Sequence, residues 1–292
     1  MIYDISHRTL YRYSAPVSQS HHVMHMSPRA IDRQIVRRHS LLIEPAPTSR
    51  FEAIDYFGNP TTQLYVEDEH NEFVVHARSS IEVAARSAVD VSTGPSIRRV
   101  SEGLLQTNSA LDLSVLQYLY PSRHTMPSRE IVDYAAPSLQ PARPVLDAAW
   151  SLTRQLYDDF RFDNTATDVS TPIGTVLKQR RGVCQDFSHL ALACLRAANI
   201  PARYVSGYLL THAPVGQIKL KGTDASHAWI SVWSPASGWV DFDPTNGSMP
   251  QGQHITIAYG RDYDDVSPIS GVLLGGGKHS VSVAVDVSEV ID

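Results

Sequence analysis

The sequence predicts an α+β protein in which an antiparallel β-sandwich precedes a part built from helices and further strands. Three observations predict this class. From Tyr3 to Tyr13, polar and apolar residues alternate, which is typical of a strand with one buried face. Apolar residues then recur at helical spacing through 146–160 and 187–198, and alternation returns on both sides of a turn at 234–238.

Three segments follow from these patterns. Residues 1–85 contain several short strand patterns separated by turn formers, and we expect a sandwich of about seven strands there. Residues 86–143 are richer in Ser and Pro around short helical pieces, and they read as a helical and irregular connector. Residues 144–292 hold the longest helix patterns and end in further strands, so we expect a second domain there.

The helix predicted from Cys184 onward places a cysteine in its first turn. Phe187, Leu190 and Cys194 lie on its apolar stripe, and Asn199 and Pro201 end it. Unpaired N–H groups at a helix start favour a thiolate over a thiol, so Cys184 is a candidate nucleophile. Cys194 lies mid-helix among apolar residues, and we assign it to the core.

A β-hairpin is predicted over 224–246, with its turn at 234–238. If Trp233 pairs with Trp239, then Asp243 lies one diagonal step from His227 on the same face. A loop shorter by two residues would place the two directly opposite, and Asp241 is one pair further away in either register. Both registers predict a pair between His227 and Asp243.

Composition excludes several classes of protein. A formal charge of −5 and a pI near 6.2 argue against a nucleic-acid surface, and two cysteines against a disulfide framework or a four-cysteine zinc site. The N-terminus lacks a signal-peptide pattern and no apolar run reaches eighteen residues, so we expect no membrane span and a cytoplasmic location.

Three blocks in chain order, GVCQDFSHL with ARYVSGYL, ASHAWISVW, and GWVDFDPTN, resemble the transglutaminase-like superfamily of papain-related cysteine enzymes. The segments ISHRTLYRYSAPV, DYFGNP and GRDYDDVSPISGV extend the resemblance to bacterial members that carry an N-terminal β-domain. It implies a papain-like core, in which the helix bearing the cysteine packs on an antiparallel sheet bearing the histidine and aspartate. It also implies that Cys184 is the nucleophile, His227 the base and Asp243 the carboxylate that orients it.

Such a triad acts on amide bonds through a thioester, and we expect a peptide or protein substrate. Gln185 and Trp229 are candidates for oxyanion or cleft contacts. We expect hydrolysis of the thioester, with transfer to a primary amine and a non-catalytic binding module as alternatives. No metal or cofactor is expected, and the oligomeric state is left open.

Overall fold

The computed structural model describes residues 1–86, 88–106, 110–211 and 226–290. Over these residues the chain forms thirteen strands and six α-helices. The strands are Ile2–Met24 (β1), Gln34–Glu44 (β2), Ser49–Ile54 (β3), Pro60–Val66 (β4), His70–Val83 (β5), Arg161–Phe162 (β6), Arg181–Gly182 (β7), Ala202–Leu209 (β8), Ser226–Ser234 (β9), Gly238–Phe242 (β10), His254–Gly260 (β11), Ile269–Gly275 (β12) and His279–Glu289 (β13). The helices are Ile97–Leu105 (α1), Ala110–Leu116 (α2), Arg129–Ala135 (α3), Val145–Asp159 (α4), Ile173–Gln179 (α5) and Cys184–Ala197 (α6). Within the described residues, no helix combines the length and apolarity needed to cross a membrane.

The N-terminal part is one curled antiparallel sheet organised around β1. The first half of β1 pairs with β5 and β13, and its second half pairs with β4 and β12. Strands β2 and β3 continue the sheet beyond β5 and β4. The predicted α+β class is confirmed. The expected sandwich takes the form of one continuous sheet, because the single long strand β1 pairs with strands in both halves of that sheet.

The last two strands differ from the predicted grouping. The sequence predicts them in the segment 144–292 with the second domain, whereas both hydrogen-bond to β1, so that Tyr3 lies opposite Glu289 and Met24 opposite Ile269. Alternation identifies a strand but carries no information about its partner, so this pairing could not be read from the sequence. Five strands of the sheet therefore come from residues 2–83 and two from 269–289.

The second part is a four-stranded antiparallel sheet in the order β10–β9–β8–β11, with α6 packed against β8 and β9. Every residue of α6 from Asp186 to Arg196 is buried, so burial extends beyond the predicted apolar stripe to polar residues such as His189 and Arg196. The helix ends where Asn199 takes a left-handed conformation with φ of 56°, a position at which Asn is a common substitute for Gly.

The two parts share one hydrophobic core. Tyr3 and Ile81 of the N-terminal sheet belong to the same buried cluster as Leu190 of α6 and Ile230 of β9. A smaller core around Phe73 lies within the N-terminal sheet alone. The N-terminal sheet is therefore packed against the second part and contributes to the surroundings of its strands.

Candidate active site

The chain turns sharply into α6 and places Cys184 at its first residue, half-buried. The carboxylate of Asp186 accepts hydrogen bonds from the Val183 N–H at 2.8 Å and from the Thr167 hydroxyl at 2.6 Å. Gly182 is required beside it, because a Cβ there would lie 2.5 Å from a carboxylate oxygen of Asp186. These contacts fix the turn that presents the cysteine. The acidic residue two positions after Cys184 is the helix-start pattern from which this contact could have been predicted.

The other thiol is a core residue, as predicted. Cys194 is 1% exposed and its sulfur lies 3.9 Å from the carbonyl oxygen of Ile131, while burial raises the pKa of its thiol to about 12. Both cysteines are free.

The hairpin of β9 and β10 has the first of the two predicted registers. Trp239 lies opposite Trp233 and Asp241 opposite Ser231, so the chain brings Asp243 beside the strand position of Trp229. In this register the His227 Nε2 lies 2.7 Å from Asp243 Oδ2, and the predicted pair is confirmed.

Asp241 has a different set of partners. Its carboxylate lies 3.7 Å from the guanidinium of Arg33 and 3.8 Å from that of Arg86, so it joins β10 to the N-terminal sheet and to the connector. The structure thus separates the two aspartates, one on the imidazole and the other on two arginines.

Asp243 is fully buried and accepts five hydrogen bonds. Its Oδ2 accepts from His227 at 2.7 Å, from the Asn246 side chain at 2.7 Å and from His254 Nε2 at 2.9 Å. Its Oδ1 accepts from the backbone N–H groups of Thr245 and Asn246 at 3.0 and 3.2 Å. Burial alone would raise the pKa of this carboxyl, but the hydrogen bonds and the two imidazoles hold it well below its usual range.

His227 connects the aspartate with the cysteine. Burial lowers its pKa, but hydrogen bonds to Asp243 and to Cys184 outweigh the burial and raise the pKa well above its ordinary value. Because Nε2 is engaged by Asp243, Nδ1 is the ring nitrogen that remains for the sulfur. The three predicted catalytic residues are therefore brought together in the order sulfur, imidazole, carboxylate.

Trp229 supports the imidazoles by packing. Its ring is fully buried, with its centroid 6.0 Å from that of His227 and 5.1 Å from that of His254. Gly207 makes room for it, because a Cβ there would lie 2.6 Å from the indole and 2.1 Å from the carbonyl oxygen of Ile255. The oxyanion roles of Trp229 and of the half-buried Gln185 stay predictions.

Sequence reasoning missed His254 and Asn246. Asn246 follows Asp243 in a turn, and an Asp whose carboxylate accepts from backbone N–H groups two and three residues later is a recognisable local motif. His254 comes from β11 and offers no local signal. Together with His227 and Asp243 it places three ligand-type atoms within 4.8 Å of one another. Hydrogen bonds from both imidazoles to one carboxylate account for this spacing.

A helix that begins with a partly exposed cysteine, packed on an antiparallel sheet that carries a histidine and an aspartate, defines the papain-like and transglutaminase-like fold. Residues 132–244 match the model of the transglutaminase-like superfamily, and residues 3–82 match that of the bacterial transglutaminase-like N-terminal region. The chain belongs to this family of bacterial transglutaminase-like proteins.

The chain is similar to two curated proteins and, in fold, to a solved structure. An uncharacterised protein of Mycobacterium tuberculosis strain H37Rv is 37% identical over 297 residues, covering 98% of this chain and 92% of the relative. A protein-glutamine gamma-glutamyltransferase of Pseudomonas aeruginosa is 33% identical over 118 residues, which are 39% of this chain and 15% of that enzyme. The crystal structure of a "putative cysteine protease" from Cytophaga hutchinsonii shares the fold with a TM-score of 0.76 at 20% identity, covering 100% of this chain and 91% of that one.

Proposed function

We propose that this protein is a thiol enzyme that cleaves amide bonds of a peptide or protein through Cys184, His227 and Asp243. The observation that carries the proposal is the buried hydrogen bond between His227 and Asp243, in a site where Cys184 is the other partner of the imidazole. An imidazolium held beside a sulfur at the start of a helix is an arrangement that activates a thiolate.

The reaction proceeds in two stages. The Cys184 sulfur attacks the amide carbonyl carbon, the C–N bond breaks, and the proton on His227 Nδ1 passes to the leaving amine. The product is a thioester on the sulfur. His227 then takes a proton from water, the hydroxide attacks the thioester carbon, and the carboxylic acid leaves as the thiolate re-forms. Asp243 keeps the imidazole in one orientation and stabilises its charged form through both stages.

Transfer of the acyl group to a primary amine is the second candidate. The 118-residue similarity to a protein-glutamine gamma-glutamyltransferase favours it. The burial of Trp229 and Trp233 favours hydrolysis. Both lie on the same strand as His227 but are 0% and 8% exposed. They therefore pack the sheet and do not line an open tunnel for a lysine stem.

One experiment tests the proposal and separates the two reactions. The protein is incubated with glutamine-containing and simple peptide-amide substrates, with and without a labelled primary amine, while ammonia, cleaved peptide and incorporated label are measured. We expect cleavage or ammonia release to exceed label incorporation at millimolar amine, and a mass increment of the acyl group on Cys184. Incorporation that outpaces hydrolysis reverses the order of the two reactions, and Cys184→Ala retaining full turnover contradicts the proposal itself.

The cytoplasmic location belongs to the same proposal. It is tested by fractionating cells of the source organism and comparing the protein with a cytoplasmic and an exported marker.

A further inference from the structure

The imidazole of His254 donates the second histidine hydrogen bond to the catalytic carboxylate. Its Nε2 lies 2.9 Å from Asp243 Oδ2, and its side chain is 9% exposed. Its other nitrogen, Nδ1, is buried and has no hydrogen-bond partner among the residues that the structure describes. A proton on Nδ1 would be a buried donor without an acceptor, so the network assigns the proton to Nε2 and makes His254 a donor to Asp243.

The strand that carries His254 is an edge strand of its sheet. On one side β11 pairs with β8, with a bulge between Thr256 and Ala258. On the other side the backbone of Thr256 meets the side chain of Gln34, the first residue of β2. Gln34 Oε1 accepts from the Thr256 N–H at 2.8 Å, and Gln34 Nε2 donates to the Thr256 carbonyl at 2.7 Å. A side-chain amide that is 2% exposed thus takes the place of a neighbouring strand.

A second amide repeats this contact further along the edge. The Tyr259 N–H donates to Asn59 Oδ1 at 2.8 Å, and Asn59 Nδ2 donates to the Tyr259 carbonyl at 2.8 Å. Asn59 is fully buried and also donates to Asp55 Oδ2 at 2.7 Å. The buried amides of Gln34 in β2 and of Asn59 in the turn before β4 therefore satisfy the outer backbone groups of β11 at two points, which fixes the strand that carries His254.

We propose that His254 is a positioning residue of the triad, and that the N-terminal sheet holds it in place through Gln34. The inference rests on the proposed function of the triad. His254 acts through Asp243: by donating to Oδ2 it keeps the carboxylate ionised and prevents it from rotating away from the His227 Nε2–H. The N-terminal sheet is then a part of the catalytic apparatus that lies outside the substrate site.

The test uses His254→Phe and His254→Gln, read by alkylation of Cys184 with iodoacetamide between pH 5.5 and 9. Phenylalanine keeps a ring against Trp229 but donates nothing, whereas the glutamine amide restores an N–H. We expect His254→Phe to slow alkylation at pH 7 by roughly ten- to a hundredfold, as loss of a hydrogen bond to a charged group implies. The acid limb of the pH profile should also move to higher pH. His254→Gln should recover to within about threefold of wild type.

The matched control is His22→Phe. His22 is 5% exposed and stacks on Phe73 with ring centroids 4.3 Å apart, in the core that lies within the N-terminal sheet alone. A general loss of packing caused by replacing a buried histidine would appear in this variant too. We expect its alkylation profile to match wild type.

The outcomes separate this inference from the proposed function. If His227→Ala alkylates as fast as wild type, the triad itself is refuted. If His227→Ala is slow but His254→Phe matches wild type, only the positioning role is refuted. Equal defects in His254→Phe and His254→Gln would also refute it, because an N–H restored at this position would then restore no reactivity. Gln34→Leu should show a smaller defect in the direction of His254→Phe. A lowered melting temperature with an unchanged alkylation profile in Gln34→Leu overturns the role of the N-terminal sheet.

Discussion

The sharpest prediction concerns the two aspartates that lie two residues apart on one hairpin. Asp243→Ala removes the acceptor of five hydrogen bonds at a fully buried position, whereas Asp241→Ala removes two ion pairs at 3.7 and 3.8 Å. Removing one partner of a buried charge pair costs about 3–5 kcal/mol of unfolding free energy. The two ion pairs of Asp241, at the longer distances, are worth about 0.2–1 kcal/mol each, so their loss costs about 0.4–2 kcal/mol.

The two variants also differ in turnover. Loss of the hydrogen bond between His227 and Asp243 is equivalent to about 1.5–3 kcal/mol, or roughly a ten- to hundredfold fall in turnover. Without the carboxylate, the pKa of His227 falls, because burial is then opposed by the contact with Cys184 alone, and less of the imidazolium is present at neutral pH. Asp241→Ala leaves these contacts in place, and we expect its turnover within about twofold of wild type.

The assay measures turnover of the best substrate from the peptide panel, together with urea unfolding followed by circular dichroism. Turnover is compared only at temperatures where each variant keeps its native near-ultraviolet spectrum. Asp243→Asn is the accompanying variant, because its carbonyl oxygen can still accept from His227, and it should be more active than Asp243→Ala. Near-normal turnover in Asp243→Ala beside an inactive Asp241→Ala would refute both the hairpin register and the assignment of the triad.

Three further predictions follow from the same contacts. Iodoacetamide should modify Cys184 in the native protein but Cys194 only after unfolding, as peptide mass mapping will show; comparable rates in the native state would contradict the assignment of Cys194 to the core. The raised pKa of His227 predicts a stabilising contribution that is fully present below pH about 6.5 and is lost as the pH rises through the pKa of the folded state. The difference in unfolding free energy between wild type and His227→Gln should therefore shrink from pH 6 to pH 9. A constant difference would contradict this. Gly207→Ala should displace Trp229 and lower both the melting temperature and turnover, and unchanged tryptophan fluorescence in that variant would count against the packing described.

Local pattern was sufficient for much of the site. The apolar stripe of α6 placed Cys184 in the first turn and Cys194 in the core, and alternation around the turn at 234–238 placed His227 and Asp243 on one face. These predictions succeed because the period of a helix or a hairpin fixes which side chains share a face over a few residues.

The remainder depends on contacts between distant segments. His254 contacts Asp243 because β11 pairs with β8, and Gln34 contacts Thr256 from a strand more than 200 residues earlier. A single histidine or glutamine in a strand pattern has the same local appearance whether it contacts a catalytic carboxylate or solvent. The partner of β13 was inaccessible for the same reason, since pairing is decided by the tertiary fold.

The pairing of β1 with β13 also bears on how the molecule forms during synthesis. Tyr3 is synthesised well before Glu289, its neighbour on one side of β1, which lies more than 280 residues later in the sequence. One edge of β1 is therefore open while the intervening residues emerge, and closing it joins segments of very large sequence separation, which is a slow kind of step. An open strand edge is also a template for pairing with other chains. We expect nascent chains that stop before residue 279 to aggregate or to recruit chaperones, and the curled sheet to be completed only after the helices and sheet of the second part have been made.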